Sequence, residues 1–532
     1  MRLHEFFISL AYERSLGFRI WQGVILGIRS VSLASFLTLF NRLQAKSFIP
    51  TTKLGSAITL AAFIEASFFI YYKKVRKRLQ NLKPLPHRCK TTNERRALVE
   101  QCVETFRPPP LDCEEVPNPY VRIAIEKWFL DSPLEHITRN DFTKWCSWAF
   151  FNSEIDNLNN NEKLELEEHI NWFENKIQFK FKLKAPRSAK PVKSIRLSLD
   201  PVIDTHRPLV YYIVISIMNT IGKTTVWGLG FRFRNASPLK GVLYRPAKKT
   251  KKKLLNNTNN NNNNELNNSE NTEGRPIVFI HGIGIGFAHY LMFLFKLPTD
   301  VPIILLEWQH VSMQVIEHVP TIQETIEGIS NILTADGHKD AVFVGHSLGT
   351  TAISWMLHDK KARHLVKGAV MLDPVTFLLI NPGIAFNFIH REPTTVLELL
   401  MHYFVSRELF IAHTLSRHFS WSHNVIFPEI LPGCCDGDNK KVTISSDCKD
   451  YTSSSSLSNN TSNYIPLTSI YFSENDAIVP APDTYDYLKR NKQNNIDYKL
   501  TMLPGYQHGE LMLIPKDLNL IVNDIHERCF MK

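Results

Sequence analysis

The segment Ala341-Val342-Phe343-Val344-Gly345-His346-Ser347-Leu348-Gly349-Thr350-Thr351 constrains this chain more than any other. Its β-branched and aromatic residues make a buried strand, which breaks into Gly-His-Ser-Leu-Gly and continues as a helix. The glycines at 345 and 349 remove Cβ atoms where strand and helix approach closely. Such a turn holds the central serine in a strained conformation with its hydroxyl exposed above the sheet edge. The first amides of the following helix, that of Leu348 among them, aim at the same point, where they can stabilise an oxyanion. Ser347 is therefore the candidate nucleophile. A serine that merely caps a helix is the alternative for an isolated Gly-x-Ser-x-Gly, and the surrounding chain argues against it.

That surrounding chain is regular. Pro276–Ile280, Val301–Leu306, Lys367–Leu372, Leu467–Phe472 and Tyr498–Leu503 read as buried strands, with helices at 320–335 and 348–358. Strands alternating with helices at this spacing imply an α/β fold with a mostly parallel sheet covered on both faces. Val226–Arg234 and Gly241–Tyr244 read as an antiparallel pair opening the sheet. Residues 376–430 are a helical, aromatic-rich excursion, expected as a cap. Residues 248–274, a Lys run and an Asn tract, and 432–463, rich in Ser and Asn, bury too little apolar surface to order themselves and are expected as disordered insertions.

A serine nucleophile needs a base and a carboxylate to orient that base. Asp476 lies just past one predicted strand and His508 just past the last, in the chain order Ser347, Asp476, His508. Asp373 also ends a strand and is the rival acid; Asp373-Pro374 reads as the entrance to the cap, which favours Asp476. His281-Gly282-Ile283-Gly284-Ile285-Gly286 turns sharply after a buried strand, so the amides of Ile283 and Leu348 are the candidate oxyanion hole. The glycine spacing there is wrong for a dinucleotide loop, and no cofactor is expected. An apolar cap with Leu397, Leu400, Met401 and Phe404 on one helix face suits an acyl chain, or else simply packs on the core. His413, His418 and His423 recur at intervals that scatter them around an α-helix, so no metal is expected.

Ahead of this lie two apolar stretches, 21–40 and 54–72, that read as membrane spans, the second ending in Tyr71-Tyr72 and the basic run Lys73-Lys74-Val75-Arg76-Lys77-Arg78. Glu65 interrupts the second, with Arg29 of the first as the expected partner. An amphipathic hairpin lying on the surface is the other reading. By the positive-inside rule the basic run, and all that follows, is cytosolic. Residues 84–120 are Pro-rich linker with a short helix near 92–105, and 120–180 a small helical region whose aromatics form its core. Residues 208–221 are apolar but too short to span comfortably. The chain thus divides into a membrane region (1–83), a linker and helical region (84–225) and an α/β domain (226–532). The net charge of +11 is concentrated in the Lys/Arg runs without stacking aromatics, which points to a membrane surface and not to nucleic acid. Eight scattered cysteines form no framework and suit a reducing compartment.

His-Gly-x-Gly at 281–284, Gly-His-Ser-Leu-Gly at 345–349, the Asp before Val479-Pro480 and the terminal His508-Gly509 resemble the α/β-hydrolase superfamily over roughly residues 226–532. With the N-terminal membrane region, Asn140–Trp145, Leu372–Val375 and Tyr403–Glu408, the layout is similar to membrane-anchored hydrolases of fungal type. The resemblance implies a serine hydrolase acting on carboxylic esters, lipid esters in particular, with a membrane as partner. An acyltransferase using the same acyl-enzyme, or a silent hydrolase fold used as a membrane scaffold, are the alternatives.

Overall fold

The computed structural model describes residues 16–45, 52–108, 116–187, 189–248, 274–434, 466–492 and 497–531. The insertions expected at 248–274 and 432–463 lie almost entirely outside the described residues.

Among the described residues seven α-helices precede the sheet: α1 (Leu16–Gln44), α2 (Lys53–Gln80), α3 (Thr92–Glu104), α4 (Pro119–Trp128), α5 (Arg139–Phe151), α6 (Asn160–Lys176) and α7 (Leu209–Gly228). Capping boxes start α3, α5 and α6, where Thr91, Thr138 and Asn159 accept from the third residue of the helix and Glu94, Asp141 and Glu162 reach back. Eight strands follow: β1 (Arg232–Phe233), β2 (Val242–Arg245), β3 (Ile277–Ile280), β4 (Ile303–Leu306), β5 (Ala341–His346), β6 (Val366–Leu372), β7 (Thr468–Ser473) and β8 (Lys499–Leu503). They form one sheet in the order β1-β2-β4-β3-β5-β6-β7-β8, antiparallel at β1–β2–β4 and parallel elsewhere.

β3 and β4 are apolar and buried at every position because both faces of the sheet are covered there. Val278, Ile280, Ala341 and Phe343 share a cluster with Ile329 and Ile332 of helix Ile322–Ala335 and Ala352 and Ile353 of helix Thr350–His358. Their neighbours Ile277, Phe279, Val342 and Val344 pack with Phe293 and Leu294 on one side helix and Ile521 and Ile525 on the last. The period of two thus sends alternate side chains to opposite layers. Trp128, Phe142, Trp145 and Trp148 centre a separate cluster that extends to Leu379, Ile380 and Trp421 of the cap segment.

Three helices, α1, α2 and α7, are long and apolar enough to cross a membrane. For α7 this corrects the sequence reading in two ways. The helix runs on to Gly228, taking Val226–Gly228 away from the expected strand, and the chain turns left-handed just after it at Gly230, φ +94°. At 20 residues it is no longer too short, and it leaves Val210, Ile213, Val214, Ile217 and Ile221 exposed. Glu65 is not paired with Arg29. Its carboxylate accepts the Ser32 hydroxyl at 2.6 Å and the Leu209 amide at 2.8 Å, joining α1, α2 and α7 at one point. In the basic run, Arg76 pairs with Asp204 and Arg78 with Glu317, so part of that charge is spent on the protein itself.

The cap departs from a simple helical period. Segments Phe386–His390, Met401–Ser406 and Thr414–His418 are π-helical. In a π-helix residues five apart stack, so His413 and His418, expected on different faces, have ring centroids 4.9 Å apart. The buried stripe of the cap helix is Val396, Leu399 and Tyr403 in place of Leu397, Leu400, Met401 and Phe404, with Leu399 and Tyr403 packed on Ile25 of α1.

Candidate active site

β5 ends at His346, and Ser347 follows with φ +52°, a left-handed backbone that a non-glycine residue adopts only when its surroundings impose it. The imposition is visible in the neighbouring glycines. A Cβ on Gly349 would stand 2.2 Å from the Ile280 carbonyl oxygen, and one on Gly282 would stand 2.8 Å from Ser347 Cβ. Gly349→Ala is accordingly expected to destabilise the fold by about 3 kcal/mol or to abolish it. Chemical denaturation of the solubilised variant beside wild type measures this.

β7 and β8 deliver the other two candidates. His508 Nε2 lies 2.8 Å from Ser347 Oγ, and His508 Nδ1 lies 2.6 Å from Asp476 Oδ2. The other Asp476 oxygen accepts the amides of Ile478 and Val479 at 2.7 and 2.9 Å, which holds the carboxylate in place. Ser347, Asp476 and His508, 161 and 32 residues apart along the chain from the histidine, are thus brought into one hydrogen-bonded row. Burial disfavours the His508 imidazolium, but the charge of Asp476, its hydrogen bond, and the nearby Asp373 outweigh burial and raise its pKa above the ordinary 6.5.

Asp373 sits behind this row and does not contact the His508 ring through a hydrogen bond. It is fully buried; Oδ1 accepts the Ser473 amide at 2.7 Å, while Oδ2 accepts the Gly509 amide at 2.8 Å and the Ser473 hydroxyl at 3.0 Å. It therefore ties the end of β7 to the residue next to His508. Burial, then the charge of Asp476, push its pKa up to about 7. Asp373, Asp476 and His508 bring three donor atoms within 4.8 Å of one another, the one such group among the described residues. The hydrogen bonds given above account for that convergence.

The loop after β3 closes the other side. The Gly282 amide donates to Tyr290 Oη at 2.9 Å and the Gly284 amide to the Val311 carbonyl at 3.1 Å. Ile283 N–H lies between them with no acceptor among the described residues. Leu348 N–H is in the first turn after the elbow, where helical amides have no partner of their own. Tyr290 Oη also meets Nδ1 of His346 at 2.8 Å, locking the loop to the residue before Ser347. Sequence reasoning missed Tyr290, because in the chain it is only an apolar-looking residue ahead of a short helix. It also missed α7 as a brace. Gly286, at φ +49°, has room for no side chain, since a Cβ would fall 2.3 Å from Asn219 Oδ1, and a Cβ on Gly222 would fall 2.7 Å from the Ala288 amide nitrogen.

No protein-family model and no curated protein matches the sequence. Solved structures do show similarity. A bacterial membrane phospholipase A, described as a virulence factor, aligns with 59% of this chain and 94% of its own at 11% identity and a TM-score of 0.35. Carboxylesterase CesB (YbfK) from Bacillus subtilis aligns over 59% and 98% at 10% identity and a TM-score of 0.33. MGS-MChE2, an alpha/beta hydrolase enzyme from a sediment metagenome of the Mar Chica lagoon in Morocco, aligns over 55% and 95% at 14% identity and a TM-score of 0.29. With a mostly parallel sheet flanked on both faces, a serine on the strand-to-helix turn after β5, and an acid and a histidine following in that order after β7 and β8, the chain has the α/β-hydrolase fold.

Proposed function

We propose that this protein is a membrane-anchored serine hydrolase that cleaves carboxylic esters, with lipid acyl esters as the substrate class. The observation that carries the reading is the continuous row Ser347 Oγ, His508, Asp476 on a strained elbow. In it His508 takes the proton of Ser347 as the hydroxyl oxygen attacks the ester carbonyl, then gives it to the departing alkoxide. Asp476 keeps Nδ1–H directed toward itself, so that Nε2 is the free base, and stabilises the imidazolium. The amides of Ile283 and Leu348 hold the oxyanion. Water, activated by His508, releases the acid from the acyl-enzyme. Lipid as substrate is supported by α1 and α7 bordering the cap, where Ile25 packs on Tyr403 and the Tyr211 hydroxyl donates to the Phe404 carbonyl at 2.7 Å. The basic run that follows α2 supports a catalytic domain on the cytosolic side.

The pH profile of ester hydrolysis by the solubilised full chain tests this. His508 works as a base only when neutral, and its pKa is raised, so the acid limb of kcat/KM is expected at a midpoint above the ordinary 6.5. Asp476→Asn removes the charge that raises it, so in whatever activity remains the midpoint moves down. A rate independent of pH between about 5 and 8 speaks against a histidine base.

A further inference from the structure

Outside the catalytic row, a buried guanidinium with two unpaired nitrogens lies where α1, the start of α7 and the cap meet. Arg207 is fully buried. One of its terminal nitrogens, Nη1, donates to the carbonyls of Thr205 and, at 2.5 Å, Arg407. Its Nε and Nη2 are buried with no protein acceptor among the described residues. The guanidinium lies 4.6 Å from the centroid of the Tyr403 ring, and the Tyr403 hydroxyl is likewise buried and unpartnered. Arg407 Nε and His402 Nε2 complete the set, both buried without an acceptor, although Arg407 Nη2 donates to the Ile389 carbonyl at 2.8 Å.

Glu408 and Asp204 act on this group through their charge, but neither reaches the two unpaired nitrogens of Arg207, because their oxygens hold other donors. Asp204 holds Arg76 and Tyr72. Glu408 accepts the Tyr212 hydroxyl and the amides of Phe410 and Ile411. Glu392 is exposed to solvent and acts on Arg407 and His402 through its charge. Two guanidinium nitrogens held out of water without an acceptor are costly, and a bound anion supplies the missing acceptors. The donors come from two segments and include the planar fork that matches phosphate oxygens. A phosphate offers such donors two terminal oxygens as a diester and three as a monoester. The flanking surfaces are those of α1 and α7, whose exposed faces are apolar.

We infer that Arg207, Arg407, His402 and Tyr403 form a binding site for a phosphate group, carried by a phospholipid headgroup whose chains lie along α1 and α7. The site is separate from the catalytic row and its existence does not depend on the chain being an esterase.

The test uses the full chain in a neutral detergent with three probes: a dialkyl ether phosphatidic acid, which an esterase cannot cleave, the matching dialkylglycerol, and inorganic phosphate. The ether phosphatidic acid is expected to bind at least about tenfold more tightly than the dialkylglycerol, and Arg407→Gln to lose at least about tenfold of that preference while binding dialkylglycerol as before. Arg207→Lys, which keeps the charge but not the fork, is expected to lose part of it. Unliganded melting of each variant separates lost binding from lost folding, and Arg407, being only partly buried, is the safer of the two. Displacement of the lipid by millimolar inorganic phosphate assigns the site to free phosphate; resistance to it assigns the site to the headgroup. Equal affinity of wild type for the two ether lipids overturns the inference, as does an Arg407→Gln variant that melts like wild type and keeps the preference.

Discussion

Ser347→Ala is expected to lower ester hydrolysis by about five to six orders of magnitude and to eliminate labelling by a fluorophosphonate probe, while leaving the melting temperature near that of wild type. The size follows from the role: without the hydroxyl there is no acyl-enzyme, and only the oxyanion amides remain to help water. The small effect on stability follows from the structure. The Ser347 hydroxyl has His508 as its single hydrogen-bond partner among the described residues, and alanine fits the same space. Membranes from cells expressing each form, labelled side by side, give the answer. Equal labelling of the two would place the reactive serine elsewhere, and absence of labelling in a folded wild type would favour the scaffold reading of this fold.

The second large effect separates the two buried acids. Asp476→Asn is expected to cost about 10⁴ in kcat, because the amide presents the wrong hydrogen-bonding face to His508 Nδ1 and supplies no charge to the imidazolium. Asp373→Asn is expected to cost about tenfold or less in kcat but about 1–3 kcal/mol in stability, since its two oxygens accept three hydrogen bonds and an amide offers one oxygen. Its pH dependence provides a further signature. The Asp373 carboxyl rises from an ordinary 3.8 to about 7 on folding, so between those values the folded chain holds a proton that the unfolded chain has released. That contribution to stability is complete below about 3.8 and is lost as pH rises through about 7. The Asn variant should lack this fall. A larger loss of turnover in Asp373→Asn than in Asp476→Asn would exchange the roles assigned here.

The elbow was legible because its chemistry is local: the glycines at 345 and 349 and the serine between them are dictated by a turn only a few residues long. Asp476 and His508 were legible because each follows a strand directly, and parallel strands end on the same edge. What the sequence did not show depends on contacts between distant segments or on a change of helical period. Glu65 found Ser32 and Leu209 and not Arg29, since its partner is set by how three helices cross. Tyr290 acquires its place only because β3 and β5 are neighbours in the sheet. His413 and His418 were separated by counting an α-helical turn through a segment that is π-helical. The end of α7 was misplaced because Val226, Trp227 and Leu229 suit a strand as well as a helix, and burial of Val226 against the sheet decided for the helix.

An enzyme on a flexible tether searches the volume its linker allows. Here α2 continues without a break from its exposed apolar half to Tyr72, Val75 and Leu79, which lie in the same cluster as Val278, Ile280 and Phe343 of the sheet. The Arg78 pair with Glu317 and the Arg76 pair with Asp204 fasten the same turns. In a membrane entered by α1 and α2, Ser347 would then stand at one fixed height and one fixed tilt, like a gate set in a wall. What reaches it would be selected by depth in the bilayer before any pocket had examined its shape.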